Sequence, residues 1–148
     1  MMTDKEIIMS VEKSIRYLSG HVRAHGREIL KEYDISPLQF IALQWVNDKS
    51  GITIGQVATK LYLAHSTTTD IIDKLEQNNF VRRERSDEDK RLVIVKIEDK
   101  GLEVINRVIE KRIDYISKIT KTLTNEEKSL LPTALEKLLK ESENLFNE

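Results

Sequence analysis

The chain has 148 residues with five Gly, two Pro and no Cys, and 24 Lys and Arg against 25 Asp and Glu give it a net charge of −1. That length suits one domain that buries a core without staples, and the missing cysteine excludes a disulfide framework, a thiol nucleophile and a thiol switch. No stretch approaches the roughly 20 apolar residues that cross a bilayer, and the start Met1-Met2-Thr3-Asp4-Lys5-Glu6 has no basic segment before an apolar run; no membrane partner or signal peptide is expected, and cytoplasmic residence is the simplest reading.

Residues 5–32 read as one long helix, because Ile8, Val11, Ile15, Leu18, Val22 and Ile29 recur near helical spacing. Gly20 and Gly26 interrupt it without clearly breaking it. Ser36-Pro37-Leu38-Gln39 opens a second helix with a cap, a proline suited to the first helical position and a capping-box glutamine. It runs through Phe40, Leu43, Trp45 and Val46 to about Asp48. After a turn, Ile52 is read as a very short strand, and Thr53-Ile54-Gly55-Gln56 is a second capping box that opens a short helix. Tyr62, Leu63, Ala64 and His65 form a turn. The next helix is expected to start at a capping Ser66 or Thr67, to bury Ile71, Ile72 and Leu75, and to end near Asn79, which tolerates the left-handed conformation.

The period then changes. Residues 80–85 and 92–97 read as two strands, the second rich in β-branched residues, joined by the charged stretch Ser86-Asp87-Glu88-Asp89-Lys90-Arg91. A helix follows from about residue 98 to Leu123, lined by Leu102, Ile105, Ile109, Ile113 and Ile116. Thr124-Asn125-Glu126-Glu127 is a further capping box before a last helix that runs to about Phe146.

Helix, short turn, helix and hairpin in that order predict a winged helix-turn-helix over residues 53–97, with the motif at about 54–77 and the wing at about 80–97. The fold class is mainly α, an α+β winged helix flanked by terminal helices. In such motifs the second helix enters the major groove and the wing reaches the flanking backbone or minor groove. That helix opens with His65, Ser66, Thr67, Thr68 and Thr69. Four hydroxyls in a row propagate a helix poorly but suit contacts to phosphates and base edges. Five basic residues fall between Arg82 and Arg91 in a block, residues 53–97, that carries eight positive and seven negative side chains. The candidate DNA contacts are therefore His65, Ser66, Thr67, Thr68, Thr69 and Lys74 on the helix, with Arg83, Arg85, Lys90 and Arg91 on the wing. Asp70 would face phosphate unfavourably unless paired.

The ordered set Thr53-Ile54-Gly55-Gln56-Val57-Ala58, Ser66-Thr67-Thr68-Thr69, Asp73-Lys74-Leu75-Glu76, Phe80-Val81-Arg82-Arg83, Asp89-Lys90-Arg91 and Lys100-Gly101 resembles the MarR family of bacterial transcriptional regulators. The likeness extends over nearly the whole chain as a single domain, 1–148. It implies a homodimer on double-stranded DNA, with residues 5–35 and 102–148 as dimerisation helices. It further implies a regulator, most often a repressor, acting at a pseudo-palindromic operator. It carries groove contacts to Ser66, Thr67, Thr68 and Thr69, the wing arginine to Arg91, and a bracing acid to Asp89. Three positions depart from the family pattern: Lys90 stands where an Arg is usual and lacks the planar fork, Asn79 stands for a Gly, and Glu98 for a Thr cap.

The apolar stripes of the terminal helices exceed what one lobe can cover, which favours a dimer. Tyr17, His21, His25, Phe40 and Trp45 are candidates to line a pocket for a small-molecule effector, core packing being the competing role for Phe40 and Trp45. His21 and His25 stand four apart, a spacing able to chelate, but no firm third ligand accompanies them, so no metal and no cofactor are assigned. The rival readings are an enzyme, against which stand the missing Gly-rich phosphate loop and nucleophile elbow, and a winged helix that binds only protein.

Overall fold

Four reciprocal caps punctuate the chain. In the computed structural model, which describes residues 1–146, Thr3 and Glu6, Ser36 and Gln39, and Thr53 and Gln56 each exchange side-chain and backbone hydrogen bonds at a helix start. Thr124 and Glu127 do the same. Each pair satisfies amide donors that a helix start leaves open. The elements are α1 (Asp4–Ala24), α2 (Arg27–Glu32), α3 (Pro37–Asp48), α4 (Ile54–Leu61), α5 (His65–Gln77), β1 (Val81–Arg85), β2 (Val93–Ile97), α6 (Asp99–Ile119), a 3-10 turn (Thr120–Thr122) and α7 (Asn125–Phe146).

The single long helix expected over 5–32 is two helices. Gly26 has φ 92°, in the left-handed region that ends a helix. A Cβ there would lie 2.9 Å from Val108 Cγ1, so the chain turns where α6 passes against it.

Chain contacts divide the molecule into two compact units, Met1–Arg112 and Ile113–Glu148. In the first, α3 touches α2, α4, α5 and β2. The core gathers Phe40, Leu43 and Val46 of α3, Val57 of α4, Ile72 and Leu75 of α5, Phe80, Val81 and Val95 of the hairpin, and Val104, Ile105 and Val108 of α6. The hairpin is antiparallel in the register Val81 to Ile97 and Arg85 to Val93. Ile52 adds the expected short bridge, accepting the Val95 N–H at 2.7 Å. Asn79 takes φ 67°, which lets the chain leave α5 and enter β1.

One knot joins three elements. The Phe80 N–H donates to the Leu75 carbonyl at the end of α5, and the Phe80 carbonyl accepts from Glu98 N–H, each at 2.9 Å. Lys100 Nζ lies 4.5 Å from the centre of the Phe80 ring and donates to the Asn78 carbonyl at 3.0 Å. Gly101 fits beside this carbonyl only because it lacks a side chain: a Cβ would fall 2.4 Å from Phe80 O and 2.9 Å from Ile97 Cγ1.

Neither α1 nor α7 contains a buried residue. Ile7, Ile8, Met9, Val11, Ile15 and Leu18 lie exposed on the first, and Leu130, Leu135, Leu138, Leu139 and Leu145 on the second. No described helix is long and apolar enough to cross a membrane.

A Cβ at Gly101 would press on a backbone carbonyl, which cannot move aside by a rotamer change. Gly101→Ala is therefore expected to cost about 2 kcal/mol of stability. Denaturant unfolding at fixed protein concentration measures it, and a loss under about 0.5 kcal/mol would refute the close packing.

Candidate nucleic-acid interface

The helix α4 ends on Tyr62, whose φ of 57° and N–H bonds to Ala58 and Thr59 carbonyls turn the chain sharply. Leu63 N–H returns to the Ala58 carbonyl at 3.1 Å. The helix α5 then begins at His65 with Ala64 as its N-cap and no side-chain cap. This corrects the expectation that Ser66 or Thr67 caps it: the helix starts earlier, and both hydroxyls lie past the cap, exposed and without a hydrogen bond among the described residues. The first-turn amides of α5 likewise lack a side-chain acceptor, a feature that favours an anion in front of them.

The four consecutive hydroxyls do not share a face. Thr68 is fully buried and its Oγ1 donates to the Ala64 carbonyl at 3.0 Å. It is a core residue, and the reading of Thr68 as a groove contact is corrected accordingly; one residue in four on a helix must turn inward beside Ile71, Ile72 and Leu75. Thr69 is half-buried and its hydroxyl donates to the His65 carbonyl at 3.0 Å. The outward face of α5 is made of His65, Ser66, Thr67, Asp70 and Lys74.

The wing divides its basic residues into two sets. Arg83 is committed inward. Its guanidinium pairs with the Asp73 carboxylate, stands 3.7 Å from Glu76 Oε1, and its backbone N–H donates to Glu76 Oε2 at 2.8 Å. Its Nε is buried without an acceptor among the described residues. The residue is a brace between α5 and β1, not the DNA contact expected, because two acids one helical turn apart already hold its charge. Arg82 is similarly engaged, 3.1 Å from Glu84 and 3.5 Å from Glu98, while Lys96 lies 2.8 Å from Glu84. The Glu84 carboxyl is held below the usual carboxylate range by Lys96 first and then Arg82.

The second set faces out. Lys90 is exposed, with no ion pair among the described residues. Arg91 has an 89% exposed side chain, yet its Nε and NH2 each hold Asp89 at 3.0 Å, and its backbone N–H donates to Asp89 Oδ1 at 3.1 Å. That fork keeps the Asp89 carboxyl below its ordinary range. Arg85 points back at the tip and donates to the Lys90 carbonyl at 2.9 Å.

The five residues considered for an effector pocket differ in their surroundings. Phe40 is core, Trp45 is half-buried with Lys60 Nζ 5.1 Å from its ring centre, and Tyr17 is exposed beneath Arg16. His21 is exposed, and its carbonyl lies 2.7 Å from Nδ1 of His25. The open clefts of about 460 Å³, walled by Glu76, Arg82, Glu98 and Lys100 among others, and about 710 Å³, walled by Lys31, Asp34, Gln39 and Lys74 among others, include none of the five. Among the described residues no group of three or more His, Asp or Glu could hold a metal. Sequence reasoning missed Arg112, whose ring-facing guanidinium lies 5.5 Å from the centre of Phe40 and whose pKa is lowered by burial first and Arg23 second.

A family model described as the MarR family matches residues 35–93. The chain is 39% identical over 139 residues to the HTH-type transcriptional regulator YsmB of Bacillus subtilis, covering 93% of this chain and 95% of that protein. Among solved structures, it is similar to a MarR family protein from Bacillus stearothermophilus, with a TM-score of 0.81, 35% identity, and coverage of 95% and 99% of the two chains. A transcriptional regulator from Thermotoga maritima is similar at a TM-score of 0.74 and 31% identity, again covering 95% of this chain and 99% of that one.

The two sets of wing arginines predict different phenotypes. Arg83→Ala leaves Asp73 and Glu76 facing one another and is expected to destabilise the fold by about 1–2 kcal/mol, whereas Arg91→Ala should leave the unfolding midpoint where it is. Equal midpoints for the two variants would refute the brace.

Proposed function

The chain belongs to the MarR family and is a helix-turn-helix transcriptional regulator, not an enzyme; from that premise we propose that it binds double-stranded DNA as a homodimer and represses transcription at a pseudo-palindromic operator. The observation that carries the DNA reading is the outward face of α5. It combines free Ser66 and Thr67 hydroxyls with an uncapped first turn, beside a hairpin whose tip presents Lys90 and Arg91. The helix start supplies neutral donors and acceptors for the major groove, and amides for a phosphate. The wing supplies the charge that reaches the backbone or minor groove. His65, Thr69 and Lys74 flank this face and complete the contact set, with Arg85 holding the tip in shape.

The homodimer is supported by the terminal helices. A helix that is apolar on one side is stable where that side is covered, and α1 and α7 leave theirs exposed in the single chain. A two-fold partner covers them and presents a second recognition helix to the next turn of DNA. The near-neutral lobe makes the second lobe part of the affinity, since one lobe alone offers few cations to phosphate. Release by a small-molecule effector fits this scheme, because a ligand that alters the separation of two recognition helices weakens a two-lobed complex.

Two measurements test the reading. Binding to duplexes from the upstream region of the protein's own gene, titrated with salt, should weaken steeply, and Lys90→Ala with Arg91→Ala should lower affinity at least tenfold and flatten the salt slope by roughly 1 for each lost phosphate contact. Failure to bind any duplex at low salt would overturn the DNA reading. Truncation after Leu123 should abolish the dimer in sedimentation while the winged helix still unfolds cooperatively; a soluble dimer from that truncated chain would remove α7 from the interface.

A further inference from the structure

The outward face of α5 includes one residue that the contact set leaves unexplained. Asp70 is exposed, and no hydrogen bond or ion pair engages it among the described residues. It lies four residues after Ser66 and three after Thr67, on the same face of the helix. The other two acids of α5 are accounted for, since Asp73 and Glu76 hold Arg83. A spare carboxylate on a surface that approaches DNA is costly against phosphate. It is favourable only opposite a hydrogen-bond donor, and in the major groove the base edges offer two: N4 of cytosine and N6 of adenine.

The chemistry separates the two. A carboxylate accepts and does not donate. Adenine sets its N6 donor beside the N7 acceptor, so a carboxylate reaching N6 also meets the N7 lone pair. Cytosine offers the N4 donor with no acceptor of its own in the major groove. Resting on the DNA reading above, we infer that Asp70 is a specificity-determining residue that reads one cytosine per recognition helix, its carboxylate accepting a hydrogen bond from the N4 amine. The first two turns of α5 contain no Lys or Arg, so guanine is not read there by the usual guanidinium fork, and the acid reads the complementary base of the same pair.

Selection of a randomised duplex library by the full-length protein, followed by sequencing of the bound pool, tests this with two variants of an exposed residue. The wild-type pool should show cytosine favoured about tenfold over the other bases at one position per half-site, the discrimination of a single good base contact. Asp70→Ala should flatten that position alone, with affinity for bulk DNA equal or higher because a negative charge is gone. Asp70→Asn, nearly isosteric and able both to donate and to accept, should move the preference at that position to adenine. An unchanged cytosine column in Asp70→Ala would overturn the inference while leaving the DNA reading intact. Loss of all binding by Asp70→Asn would overturn it too, by showing a structural rather than a reading role. A wild-type protein that selects no duplex would overturn both.

Discussion

The contact between Gly101 and the Phe80 carbonyl sets the geometry of the lobe. At that point the end of α5, the start of β1 and the start of α6 come within one peptide of one another. The Phe80 amide closes α5 through Leu75, its carbonyl receives Glu98, and its buried ring lies under Lys100 and edge-on to Tyr33 at 6.3 Å between centres. Interiors packed at this density do not deform gradually. The recognition helix, the wing and the first turns of the long helix therefore move as one body.

Charge is sorted on the same scaffold. The winged segment is nearly neutral by count, and a reading by count alone would give it little attraction for a polyanion. The folded chain pairs several of these charges within the lobe. Arg83 is sequestered between α5 and β1 by Asp73 and Glu76, and Arg82 and Lys96 share Glu84 and Glu98. These acids are spent internally, so they do not oppose DNA. What faces outward is a hydroxyl-rich helix start with the unpaired acid Asp70, and a wing tip where Lys90 and the Asp89-held Arg91 stand beside exposed Asp87 and Glu88.

Local chemistry made much of this legible. Three of the four capping boxes, the proline at the start of α3, the two hairpin strands, the Ile52 bridge and the left-handed Asn79 all follow from short-range rules about hydrogen bonding and φ. Thr3 with Glu6 obeys the same rule and was available to it. The misreadings share a different cause. Gly26 breaks the helix with a positive φ, and Val108, over eighty residues away, occupies the space that a Cβ there would need. Ala64 caps α5, which a preference for hydroxyl caps does not favour, and Thr68 is core because it stands three, four and seven residues before Ile71, Ile72 and Leu75, a spacing the run of four hydroxyls masked. Arg83 looked like a free cation because its partners lie on another element, although the three-residue spacing of Asp73 and Glu76 already placed two acids on one side of a helix.

The wing tip has one more consequence. Its seven-residue turn, Ser86 to Leu92, is held by its own bonds: Asp89 N–H to Ser86 Oγ at 3.3 Å, Leu92 N–H to the Asp89 carbonyl at 2.9 Å, Arg85 to the Lys90 carbonyl, and Arg91 to Asp89. A loop that finds its shape only on the target forfeits conformational entropy at the moment of association, about 1–2 kcal/mol for each backbone residue fixed. Here much of that ordering is completed during folding, by backbone bonds and by one acid, Asp89, that holds Arg91. The tip is thus preorganised by its own hydrogen bonds, a prong shaped before any partner arrives.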